Sequence, residues 1–335
     1  MTTMNIQPLV SIIVPVYGVE KHISQCARSL FAQTYANIEI IFVDDCSNDN
    51  SITNLYATIE EYPHIKSKLR IIRLEQNLGS AGARLIGLKA ATGDYVIQFD
   101  SDDYVELNII EALVSTAIRN NSDITICDFD LVYPNNSIPV KVNPSLNKEE
   151  LIGQLFTGKV HGSFWNKLIK RDLYTKNGIE LTVGLNMCED LSVMYKLVYF
   201  SNSISYLPAV LYHYRQLVAS SFSANKMSMA QQSNRIQLLE QICTFSKEET
   251  GNDEKFEQYK RYIIASNKAE ILLYGNYKKA TAFKRPEMRI SLDDINKHPN
   301  LHRNFRIILK LDKYKLYPFM HIMRLLQKMY SFLKK

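Results

Sequence analysis

Tyr95-Val96-Ile97-Gln98-Phe99-Asp100-Ser101-Asp102-Asp103 is the stretch whose reading decides the fold. A short apolar run stops abruptly at three carboxylates within four residues. Such a run suits a strand buried on both faces, as in a parallel sheet. The acids at its end then lie beyond a strand's carboxyl terminus, where open α/β sheets bind their ligands.

Working outward, similar runs recur at Leu9–Val16, Ile38–Val43, Leu69–Leu74 and Ile124–Phe129. Between them, Glu20–Gln33, Ser51–Glu61, Gly79–Ala91 and Glu106–Arg119 read as helices. This alternation predicts an α/β fold with a doubly wound, mostly parallel sheet flanked by helices. Tyr133–Pro144 turns polar and reads as a loop or an edge hairpin. Helical patterning resumes at Lys148–Phe156, Lys167–Lys176 and Glu189–Phe200, and two short strands, Ile204–Leu207 and Val210–Tyr214, flank Pro208. Beyond about Ser223 the pattern is helical, with polar breaks near Thr250–Asp253 and Lys284–Pro286.

At 335 residues the chain can bury one large α/β core and a smaller appendage. An apolar share of 46% beside 22% charged residues is that of an ordinary globular protein, which excludes a fibrous or wholly disordered chain. The five cysteines are scattered without CxxC spacing, so neither a zinc site nor a disulfide scaffold is expected. Met1–Pro8 carries no leader pattern, and no apolar run approaches the roughly 18 residues that span a bilayer. A cytoplasmic protein is the expectation. The charge is uneven: residues 300–335 hold nine Lys/Arg against one acid, Asp312. That segment therefore carries +8, and since the whole chain carries +6, the rest carries −2.

Three adjacent carboxylates repel one another unless a cation or hydrogen-bond donors neutralise them. Hard oxygen ligands suit Mg²⁺ or Mn²⁺, which take one or two protein carboxylates and complete their shell with water and phosphate. The competing reading of Asp100–Asp103 is a solvated acidic turn leading into a helix. Asp44-Asp45 closes another apolar strand; a carboxylate there can accept from a base imide or a ribose hydroxyl, or help cap the helix from Ser51. Gly79-Ser80-Ala81-Gly82-Ala83-Arg84 opens a helix with little bulk, letting backbone approach a ligand while Arg84 reaches a phosphate or carboxylate. Tight packing on the sheet explains the glycines equally well, but not Arg84. Glu189 and Asp190 begin a helix, where the macrodipole favours acids; the sharper reading makes one of them a general base.

Taken in order, these segments resemble glycosyltransferase family 2 from Val10 to about Ser221. Ser11–Tyr17 is similar to that family's opening strand, and Phe42-Val43-Asp44-Asp45-Cys46-Ser47-Asn48-Asp49 to its nucleoside segment, with Cys46 in place of the usual Gly. Asn77–Gly87 resembles its Asn-x-Gly stretch, with Leu85 where an Asn is customary. Gly93–Asp103 is the most specific block, and Trp165-Asn166-Lys167-Leu168 and Glu189-Asp190 look like acceptor-side motifs. The resemblance implies a GT-A fold, inversion at the anomeric carbon and Mn²⁺ or Mg²⁺ as cofactor. It places Pro15, Tyr17, Glu20, Asp44, Asp45, Arg84, Asp100 and Ser101 at the nucleotide-sugar donor, with Asp44 or Asp45 at the base and Asp100 at the ribose. It also implies Asp102 with Asp103 as metal ligands, Asp190 as general base, and Trp165, Glu189 and His213 on the acceptor side. Tyr212-His213-Tyr214-Arg215 followed by Ser220-Ser221 is similar to a segment near the diphosphate. The processive Gln-x-x-Arg-Trp motif is missing, so one sugar per encounter is expected.

The expected organisation is a catalytic domain over 1–222, with donor binding at about 9–130 and the acceptor side at about 131–222, then a helical region over 223–335. Within it, 300–335 interleaves apolar and basic residues as an amphipathic helix does. Such a tail suits an anionic membrane surface, on the inner face of the cell membrane, where a lipid-linked acceptor would be met. The other reading packs its apolar residues on the catalytic domain. No nucleic-acid module accompanies the basic tail. A sugar nucleotidyltransferase would need a Gly-rich loop after the first strand, where this chain has Pro15-Val16-Tyr17-Gly18. A noncatalytic nucleotide- or carbohydrate-binding module has no need of Asp190.

Overall fold

The computed structural model describes residues 7–216, 227–251, 253–276 and 281–333, with side chains through 327. The chain divides into two compact units, one of residues 1–148 and 162–216, the other of 149–161 and 217–335.

The first unit is built on a mixed sheet. Its opening strands are β1 (Val10–Val16), β2 (Ile38–Asp44), β3 (Leu69–Arg73) and β4 (Tyr95–Gln98). They lie side by side as β3-β2-β1-β4, all parallel. The helices between them are α1 (Ile23–Phe31), α2 (Ser51–Glu60) and α3 (Gly79–Ala90). Ile13, Ile41, Val43 and Val96 form a cluster with Ala83 of α3, and partly buried Ile86 and Leu88 pack against it. Burying each of the larger side chains contributes roughly 1.5–3 kcal/mol. Gly87 explains how α3 lies so close: a Cβ there would come within 2.4 Å of the Ile13 side chain.

The sheet then changes character. Short β5 (Tyr104–Val105) and α4 (Ile109–Asn120) lead to β6 (Ile124–Val132) and β7 (Ser137–Val140), which form the anticipated edge hairpin. Past α5 (Lys148–Phe156) come β8 (Lys167–Lys170), α6 (Arg171–Lys176), α7 (Glu189–Phe200) and β9 (Ile204–Arg215). The sheet order is β3-β2-β1-β4-β8-β6-β9-β5; β8 is antiparallel to both neighbours, while β6 and β9 run parallel. The parallel expectation therefore holds for the first four strands, and the remainder is mixed.

Two local readings are corrected. Lys167–Lys170 is a strand rather than the start of a helix, because Leu168 and Ile169 are buried between β4 and β6; tertiary packing overrides a weak helical pattern. The two strands flanking Pro208 are one continuous strand. Its register slips between the pairs Cys127–Leu207 and Phe129–Tyr212, giving five residue steps on β9 against two on β6. Pro208 sits in that bulge, where no ladder hydrogen bond is asked of its missing N–H.

In the second unit every regular element described is helical. Besides most of α5 it holds α8 (Met229–Glu249), α9 (Glu254–Tyr274), α10 (Leu292–Lys297), α11 (Arg303–Lys313) and α12 (Tyr317–Leu333). The Ser228 hydroxyl and Gln231 close a capping box on α8, and the Asp253 carboxylate accepts from the Phe256 N–H to cap α9. The Asp253 cap falls at the first of the polar breaks the sequence shows.

Candidate active site

The C-terminal ends of β1, β2 and β4, the start of α3, the segment before β8 and the start of α7 line one cavity of about 460 Å³ in the first unit. Pro15, Tyr17, Asp45, Arg84, Asp100, Ser101, Asp102, Trp165, Glu189 and Asp190 all reach it. These residues are spread over 175 positions of sequence, and the fold brings them together.

The acidic loop after β4 divides its work. Asp100 forms a salt bridge with the buried guanidinium of Arg84, which also donates to Gln98 at 3.3 Å. Phe164 lies under that guanidinium, 5.6 Å from its ring centre. Burial works against the Arg84 charge, but Asp100, Glu189 and Asp190 outweigh it and hold the group cationic. Asp102 faces the cavity; burial, then the neighbouring Asp100 charge, raises its carboxyl above the usual range. Asp103 is different. It is 1% exposed and accepts from the Tyr212 hydroxyl at 2.5 Å and from the Arg215 N–H at 2.7 Å. Burial pushes its pKa up to about 8, reinforced by Asp102 and Asp100. Both oxygens of Asp103 are thus engaged inside the protein, and it does not line the cavity.

Asp44 and Asp45 also part company. Asp44 accepts from the Ser47 N–H at 2.9 Å and from Arg73 at 3.1 Å, behind the cavity wall. Asp45 lines the cavity while accepting from the Leu78 N–H at 2.7 Å, which ties the nucleoside-like segment to the start of α3. Cys46 follows with φ of 62°, in the left-handed region where glycine is at ease. That backbone requirement accounts for the glycine customary at this position.

Other expected residues stand away from the cavity. Glu20 accepts from the Asn50 N–H at 3.1 Å and braces the loop before α2. His213 is held between Asp130 at 2.8 Å and Glu106 at 3.1 Å and stacks on Tyr104. Strand alternation gives the reason: Tyr212 and Tyr214 stack on Trp165, at 4.3 and 5.5 Å between ring centres, so the residue between them faces the other way. Ser220 and Ser221 lie outside the described residues. Leu85 is half-buried and does not line the cavity.

Sequence reading gave no role of their own to Asn186, Ser80 and Phe164, which also line the cavity. The Ser80 hydroxyl donates to Glu189 at 2.8 Å, joining the first turns of α3 and α7. Burial raises the Glu189 carboxyl, and Asp190 adds to this while Arg84 opposes it. Asp190 accepts from the Leu191 N–H at 2.6 Å. Lys167, beneath this region, donates to the Ser163 carbonyl and to Asn166, each at 2.7 Å. Burial lowers its pKa to about 7, against the nearby Asp190.

Among the described residues no three His, Cys, Asp or Glu side chains converge as a self-contained metal cage. A hard divalent cation needs none when a diphosphate supplies oxygens. Asp102, exposed to the cavity and burdened by Asp100, fits as its single protein carboxylate.

The family profile described as Glycosyl transferase family 2 matches residues 11–178, half of the chain. The chain belongs to that family. EpsH of Bacillus subtilis (strain 168), named as a glycosyltransferase, is 34% identical over 215 residues; the match covers 62% of this chain and 61% of EpsH. The family 2 fold is shared with TarS of S. aureus, solved as residues 1–349 in complex with UDP-GlcNAc. It superposes with a TM-score of 0.64 at 21% identity, covering 96% of this chain and 89% of that one. The mannosyltransferase PcManGT of Pyrobaculum calidifontis, solved with GDP-Man and Mn²⁺, superposes with a TM-score of 0.53 at 16% identity, over 98% and 88% of the two chains.

Proposed function

We propose that this chain is an inverting, metal-dependent, non-processive glycosyltransferase. It moves one sugar from a UDP-sugar to a hydroxyl of a glycan or lipid-linked acceptor, in the assembly of a bacterial surface polysaccharide. One observation carries the reading: Asp45, Asp102, Arg84 and Asp190 line a single cavity at the strand ends of a family 2 fold. TarS bound to UDP-GlcNAc supports the choice of base. Catalysis belongs to residues 1–222 and the helical region to 223–335, at the inner membrane face.

Asp45 and the segment around Tyr17 receive the nucleoside, and Asp100 the ribose. Asp102 would hold Mn²⁺ or Mg²⁺, which would offset charge on a departing diphosphate. Arg84, kept cationic by its acidic neighbours, adds to the positive field around those phosphates. Asp190 accepts the proton of the acceptor hydroxyl as its oxygen attacks the anomeric carbon from the face opposite the leaving group. Trp165, fixed by its stack on Tyr212, offers an aromatic surface to the acceptor.

Calorimetric titration with UDP and GDP, each with and without Mn²⁺, tests the donor half. UDP binding that needs Mn²⁺ and is lost in Asp102→Ala is the expected result. Mn²⁺-independent binding, or none, overturns the metal assignment; a preference for GDP overturns the base.

A further inference from the structure

We infer that the outward face of α12, with basic residues of α11 beside it, is a docking surface for an anionic lipid bilayer. The helix's inward face is already spent. Met320 is buried, Arg324 donates to the Gly275 carbonyl at 2.7 Å, and Gln327 donates to the Tyr274 hydroxyl at 3.2 Å. Asn304 of α11 donates to Gln327 at 3.4 Å. These anchors fix the rotation of α12, so the apolar side chains described on its opposite face have no place within the unit.

Those side chains are Phe319, Ile322, Leu325 and Leu326, 46–60% exposed. At 100° per residue they occupy an arc of roughly 120°, one continuous face. Charge identifies the occupant. Residues 300–335 hold nine Lys/Arg against Asp312, and Lys268 neutralises that one acid at 2.7 Å. Arg303, Lys310 and Lys315 stand exposed on and after α11. An apolar protein partner would gain nothing from this concentration of cations, whereas anionic headgroups lying above acyl chains match both features. No helix among the described residues is long and apolar enough to cross a membrane, so α12 would lie in the interface.

The surface does not depend on the transfer chemistry, and the two are read separately. The 335-residue chain is sedimented with vesicles of phosphatidylcholine alone and of phosphatidylcholine mixed with phosphatidylglycerol, at low and high salt. Binding to the anionic vesicles, weakened by salt, is expected, with little to the neutral ones. Phe319→Ser with Leu326→Ser should weaken it at least about tenfold while melting temperature and nucleotide binding stay unchanged. Ile322→Ser with Leu325→Ser repeats the test should the first pair melt early. Absence of binding, equal binding to neutral vesicles, or binding indifferent to both pairs overturns the inference. So does a wild-type dimer that becomes monomeric on substitution, which would make a second copy the occupant.

Discussion

Tyr212 donates its hydroxyl hydrogen to Asp103 at 2.5 Å, linking the acidic loop after β4 to the strand that carries Trp165's aromatic support. The Asp103 carboxyl is one of the most burdened in the molecule, and Tyr212 and the Arg215 N–H are the donors that relieve it.

Tyr212→Phe removes one of those donors and leaves a buried acceptor short of a partner. Stability should fall by about 1–3 kcal/mol in urea unfolding. Mn²⁺-dependent UDP affinity should fall less than about tenfold, because Asp102 is untouched. A collapse of that affinity with the fold intact would make Asp103 a ligand in its own right.

Gly79 has φ of +76°, and a Cβ there would stand 2.0 Å from Asn186 Oδ1. Gly79→Ala should cost about 1 kcal/mol through the backbone alone. Displacing Asn186 at the cavity wall should raise the donor KM several-fold. Turnover at saturating donor should stay within about twofold, since Asp190 keeps its place. Steady-state kinetics would show whether the loss falls on KM or on kcat.

Asp190→Asn keeps the shape of the side chain and an acceptor for the Leu191 N–H, but cannot take a proton. UDP binding should persist, while transfer should fall by about 10²–10⁴. Transfer at the wild-type rate would remove Asp190 from the mechanism. Wild-type protein that binds UDP but transfers no sugar to any acceptor would favour the noncatalytic module.

His298 reports on the second unit. It is buried, its ring faces the Ser266 hydroxyl at 2.9 Å, and Nδ1 accepts from the Asn300 N–H at 3.2 Å. Burial, then the Arg306 charge, holds its pKa down to about 4 from the usual 6.5. Between those values the unfolded chain binds a proton that the folded chain refuses. Stability should therefore fall as pH drops from about 6.5 to 4 and then level off, by roughly 3 kcal/mol in all. His298→Asn should flatten that part of the profile in thermal melts.

The parallel half of the sheet and the acids at its strand ends were legible because a strand buried on both faces leaves a continuous apolar run, and its end is marked by charge. Which acid faces the cavity was not legible. Asp44 and Asp45 are neighbours, as are Asp102 and Asp103, yet one of each pair turns inward to bind protein donors. That choice rests on Ser47, Arg73, Tyr212 and Arg215, residues up to 112 positions away. That Glu20 and His213 stand apart from the cavity was hidden for the same reason: a polar side chain that braces a loop looks no different in sequence from one that meets a substrate. Lys167–Lys170 hid as a strand because its partners, β4 and β6, come from elsewhere in the chain.

The bulge in β9 sets the phase of everything after it. Because alternate residues of a strand face opposite ways, losing one residue between Leu207 and Tyr212 would exchange the two faces downstream. His213 would turn toward Trp165, and Tyr212 would swing away from Asp103. Length in this short segment is therefore under tighter constraint than residue identity, and a single-codon deletion there would do more harm than most substitutions.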